Sequence, residues 1–125
     1  MKASLAFLHH QITDWQRETD FYRHEISILE KRLQEVASKN NSHEILAHVE
    51  HFQNKFIITK EQLDILKHDL SKEQLGVEEK AKQTPEHINE KFVVRHYKMQ
   101  ERVKNFNSAF ADLRFEFNSF LSRTM

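Results

Sequence analysis

The chain has no cysteine and only one glycine and one proline in 125 residues. Without cysteine there is no disulfide, no thiolate zinc site and no thiol nucleophile, which fits a reducing compartment. A single glycine excludes a glycine-rich phosphate loop. With one proline beside it, the chain is also short of the turn residues that an all-β fold needs, because hairpins call for positive φ. Neither sign of charge dominates: Lys+Arg and Asp+Glu each number 19, for a formal net charge of +0. No long-range field therefore draws the chain to a polyanion. Long apolar runs are missing too. The longest strongly apolar one is Phe56-Ile57-Ile58, against roughly 18 residues for a bilayer span. The apolar stretch after Lys2 is shorter than the roughly 7–15 residues of a secretory core. The expectation is a soluble, cytoplasmic protein with no membrane partner.

What is present is helical periodicity. Leu5, Leu8, Ile12, Trp15, Thr19, Tyr22, Ile26, Leu29, Leu33 and Val36 recur at alternating spacings of three and four. These are the a and d positions of a heptad, so one stripe of a long helix is apolar. The stripe stops at Ser38-Lys39-Asn40-Asn41-Ser42, residues that favour turns. A second stripe follows with Ile45, Val49, Phe52, Phe56, Thr59, Leu63, Leu66 and Leu70. Its expected start is an Asn41 cap with Glu44 three residues on, resembling a capping box. Thr84, Pro85 and Glu86 have the cap, first-turn proline and acidic residue of a third helix start. The stripe of that helix is Phe92, His96, Met99, Val103, Phe106, Phe110, Leu113, Phe117 and Phe120.

The reading is an all-α, elongated, antiparallel (up-down-up) three-helix bundle with coiled-coil-like heptad seams, one domain over residues 1–125. Helix 1 is expected over about 4–39 and helix 3 over about 85–123. Helix 2 runs over about 42–75 if Gly76 ends it in a left-handed cap, or to about 82 if the helix crosses Gly76 at a cost of about 1 kcal/mol. The plan, with Trp15 in its first helix, resembles spectrin-repeat architecture in helix number and length alone, and that likeness carries no functional residue. Folding the first pair back around residues 40–41 places Glu25 opposite Lys55 and Thr19 within about a turn of Thr59. Folding the second pair places Asp69 near Arg95.

Several large apolar residues lie off the seams. Phe7, Phe21 and Ile28 share one heptad position, Ile58 and Ile65 hold the equivalent one in helix 2, and Phe115 sits opposite the seam of helix 3. They widen the apolar faces beyond what one bundle buries, so they are the expected interface for a second copy, most simply a homodimer, or for helices of a partner protein.

Candidate chemistry centres on nine histidines. Di-iron bundles need Glu-x-x-His on two helices, and no His here has a Glu three residues before it; His-Glu-x-x-His is also missing. Four acid–histidine pairs at i,i+4 spacing (His10 with Asp14, Asp20 with His24, Glu44 with His48, Asp64 with His68) lie off the seams and read as exposed pairs. His48 and His51, three apart, read as a surface feature. His96 is on a seam, with Glu73 at the matching position of helix 2 and His9 nearby on helix 1. That trio reads first as a register-setting polar layer with Arg95, and as an alternative as a metal or small-ligand pocket. Lys91, Arg95, Lys98 and Arg102 make one basic stripe that phosphates of a nucleic acid could meet, although an acidic stretch of helix 2 should lie beside it. No nucleophile stands in a motif. The sequence therefore points to a non-enzymatic helical scaffold or adaptor without a cofactor. Metal or ligand binding at His96 and Glu73 comes second, and weak nucleic-acid binding third.

Overall fold

The computed structural model describes residues 4–83 and 90–124. Among them the chain forms α1 (Leu5–Lys39), α2 (His43–Gln83) and α3 (Glu90–Thr124), with no strand. At 1.5 Å per residue these helices are about 50–60 Å long. They pack as an all-α, up-down-up three-helix bundle.

Local chemistry explains the helix ends. Ser4 caps α1, its hydroxyl accepting from the Phe7 amide at 3.1 Å. After Lys39 the backbone turns extended, and the Asn40 side-chain amide donates to the Val36 carbonyl at 2.8 Å. The second helix starts one residue later than an Asn41 cap implies. The Ser42 carbonyl accepts from Leu46 N at 3.0 Å, which makes Ser42 the residue before the first turn and puts Glu44 too early for a capping box. The expected Thr84-Pro85-Glu86 start lies outside the described residues, as does His87.

Gly76 does not end α2. The helix runs through it to Gln83, and no glycine has positive φ. Beyond it Val77 is buried and Ala81 packs on the core. Burying a valine contributes roughly 1.5–3 kcal/mol, which exceeds the cost of about 1 kcal/mol for a glycine within a helix.

The seams are the core. Leu8, Ile12, Ile26 and Leu33 of α1 are buried, as are Phe56, Leu63 and Leu70 of α2 and Phe110, Phe117 and Phe120 of α3. Thr19 is buried as well, its hydroxyl donating to the Gln16 carbonyl at 2.7 Å. Thr59 does the same towards the Lys55 carbonyl at 2.7 Å. Both bonds reach back about one turn, as expected of polar residues on a helical stripe.

The backbones of α1 and α2 approach each other most closely, and α3 stands further from both. The seam of α3 accounts for this. Phe117 meets Phe52 and Phe56 at ring-centroid distances of 5.2 Å each, and Phe120 meets Phe52 at 5.2 Å. Phenylalanine rings fill more depth than the Leu, Ile and Val between α1 and α2, and so hold the third backbone out.

The ion pairs correct the expected register. Asp69 pairs with Arg102 at 2.8 Å rather than with Arg95, one heptad further on. Asp20 bonds Lys67 at 2.7 Å and Glu30 bonds Lys60 at 2.8 Å. Backbone levels alone mislead here because helical side chains lean towards their own N-terminus. In an antiparallel pair the two leans are opposed, so touching residues lie further along both chains than their backbones suggest. Glu25 is corrected differently. It turns to Arg114 of α3, at 3.8 Å, and leaves Lys55 of α2. The reason is lateral: Glu25 and Lys55 are both at heptad position g, and the g flanks of α1 and α2 face α3.

Candidate functional site

The seam carries its one buried histidine where the N-terminal turns of α1 and α3 meet the last turns of α2. The His96 ring stacks on Trp15, with centroids 4.9 Å apart and planes 29° from parallel. Its Nε2 bonds Oε1 of Gln11, a g residue of α1. With the Gln11 oxygen as acceptor, Nε2 carries the proton. Burial lowers the pKa of the ring below its ordinary 6.5, because an imidazolium would leave water without a counter-charge.

Glu73 is half-buried on the facing seam, and Arg95 holds it at 3.6 Å. The same guanidinium lies 4.9 Å over the Phe92 ring. Next to Glu73, Gln74 donates to Thr13 Oγ1 at 3.1 Å, and Thr13 donates to the His9 carbonyl at 2.9 Å. The Gln74 Oε1 atom is buried without a partner. His9 stands at position e, the flank of α1 that packs on α2, whereas His96 is met from position g. The three candidate ligands Glu73, His96 and His9 therefore fall on different sides of the layer. Among the described residues, no group of three or more His, Cys, Asp or Glu could hold a metal ion. The arrangement supports the polar-layer reading, with Gln11 and Trp15 in the place beside His96 that the sequence reading gave to His9. Gln11 and Thr13 were missed because they flank the stripe. A polar residue at g is informative only once the helix it faces is known.

The acid–histidine pairs dissolve in part. Asp20 goes to Lys67 and Asp64 to Arg23. His48 leans on the Phe120 ring at 5.5 Å and His51 on Phe52 at 5.2 Å. Within the basic stripe, Arg95 and Arg102 are held by Glu73 and Asp69.

The six expected interface residues are all exposed, from 38% at Ile28 to 74% at Phe115. The tertiary structure divides them among three places. Positions b and e of α1 and α2 face each other, as Asp20–Lys67 and Glu30–Lys60 show. Position g of both helices faces α3, as Glu25–Arg114 and Asp69–Arg102 show. Position c adjoins g on the helical wheel. Phe7, Phe21 and Ile28 therefore border the groove between α1 and α3. Ile58 and Ile65 border the groove between α2 and α3, where Ile58 shares a recess with Ala109 and Asp112. Phe115 stands on the outer crest of α3. The third helix lies between the c flanks of α1 and α2. Near the first end of the α1/α3 groove, Val93 and Tyr97 are also exposed on the flank of α3 that faces Phe7, and neither belongs to the expected set.

No described helix is long and apolar enough to cross a membrane. Comparison of the chain with protein-family models, curated proteins and solved structures finds no match.

Proposed function

We propose that the chain is a non-enzymatic helical scaffold or adaptor of the cytoplasm, which works by docking helices, its own copies included, along its grooves. The observation that carries this reading is the lane of Phe7, Phe21 and Ile28. All three are exposed, all occupy heptad position c, and with Val93 and Tyr97 they border one groove. Apolar residues scattered singly over a surface are ordinary; a lane of them in register along a groove is what an incoming amphipathic helix would bury. Nothing in the geometry favours the metal or nucleic-acid readings, since Glu73, Arg95 and Arg102 are engaged with one another or with Asp69.

Sedimentation equilibrium of the full chain at high micromolar concentration tests the proposal. A species heavier than 15.1 kDa, reverting to monomer in a Phe21→Glu, Ile28→Glu double variant that keeps its helicity, is the expected result. For a strictly monomeric wild-type chain, the second arm is retention of an amphipathic helical peptide lost in the same variant. Failure of both arms overturns the reading.

A further inference from the structure

We infer that the end of the bundle built on Gln11, Trp15 and His96 is a proton-operated latch, in which charging His96 releases the first turns of α3 from α1 while the phenylalanine end stays closed. Geometry sets up the device. His96 is a seam residue with only 9% of its surface exposed. From α1 it meets Gln11 and Trp15, neither of which can neutralise a positive ring. From α2 the facing carboxylate is Glu73, already engaged by Arg95. On its own helix the adjoining charge is that same Arg95, which is of like sign. An imidazolium at this position has an aromatic face, an amide and a neighbouring cation, and among the described residues no carboxylate is paired with it.

The opposite end of α3 is packed differently. Phe110, Phe117 and Phe120 are buried, and Phe117 and Phe120 lie against Phe52. The histidines nearest those rings, His48 on Phe120 and His51 on Phe52, are both exposed, unlike His96. The two ends of α3 are therefore held differently, one around a buried imidazole and the other by buried phenylalanine rings. Because α3 stands off from its neighbours, its first turns can part from α1 without forcing α2 to move. The Phe7, Val93 and Tyr97 patch lies at that same end, so opening the latch enlarges the apolar surface there.

The sign follows from linkage. The neutral ring is favoured in the closed end, whereas a ring exposed to water takes up a proton at its ordinary pKa of 6.5. Closure is complete above that value and weakens as pH falls through it.

Hydrogen exchange of the full chain at pH 7.5 and pH 5.5, corrected for intrinsic rates, reads the latch. Protection over residues 90–99 should fall by up to about tenfold at pH 5.5, the ceiling set by a released ring whose ordinary pKa lies one unit above that pH, while residues 106–121 keep theirs. A His96→Leu variant should keep protection in both segments at both pH values; if circular dichroism shows that it does not fold, His96→Gln takes its place. The His96 ring resonance of the unaltered chain should titrate below 6.5. Unchanged exchange, uniform loss along all three helices, pH sensitivity that survives removal of His96, or a ring midpoint at or above 6.5 would each overturn the proposal.

Discussion

The place where Gly76 lacks a Cβ lies 4.0 Å from Cε1 of Phe92, an ordinary van der Waals separation. Glycine is not needed there for space, nor for backbone freedom, since its φ is not positive. Gly76→Ala should therefore stabilise the chain by about 0.5–1 kcal/mol, through lower unfolded-chain entropy and better helix propensity. Urea unfolding checks this. A loss of stability would mean that the Phe92 ring is held closer than the backbone geometry indicates.

Phe115 and Phe117 are two residues apart and face opposite ways, 74% and 0% exposed. Phe117→Ala removes a ring that contacts Phe52 and Phe56. It should cost about 3–5 kcal/mol. Phe115→Ala should leave monomer stability within about 0.5 kcal/mol, and any effect it has should appear in association. Thermal unfolding at low protein concentration separates the two.

Thr19 satisfies its hydroxyl within its own helix, at the Gln16 carbonyl, and presents no hydrogen bond to α2 or α3. Thr19→Val should therefore be neutral or stabilising, by less than about 1 kcal/mol, because the hydroxyl leaves without orphaning a partner. A marked loss of stability would show that the hydroxyl has a role outside α1.

The phenol of Tyr22 packs between Phe106 and Phe110, at 5.4 and 4.7 Å. Burial raises its pKa above 10.0, Glu18 adds to the rise and Arg114 opposes it. The folded chain thus retains a proton that the unfolded chain releases near pH 10. Stability from this group is intact below that pH and is lost as pH climbs through the folded value. Tyr22→Phe should flatten the alkaline limb of the stability profile measured from pH 8 to 11. An unchanged limb would place the titration elsewhere.

Ile12, Phe56 and Phe110 are buried because apolar spacing near 3.5 residues leaves a helix one stripe to hide, and that spacing is written in the chain. The three-helix plan was legible for the same reason. The extent of α2 was not legible, because local propensity leaves a glycine undecided and only the burial of Val77 settles it. The site was legible in its principal residue. His96 and the engaged carboxylate of Glu73 could be read from seam positions, whereas Gln11 could not, since a flanking residue has meaning only relative to the helix it faces.

The sequence by itself determined which residues leave water, because hydrophobic periodicity is a local property of each helix. Only the tertiary structure decided that the g flanks of α1 and α2 turn to α3. It thereby sent Glu25 to Arg114 and parted the Phe21 lane from the Ile65 lane. It also paired Asp69 with Arg102, one heptad beyond Arg95. A heptad seam fixes what is buried but leaves open the side on which the third helix lies, and the lean of side chains shifts their partners along the axis. Both are settled by packing among all three helices at once, which no single segment encodes.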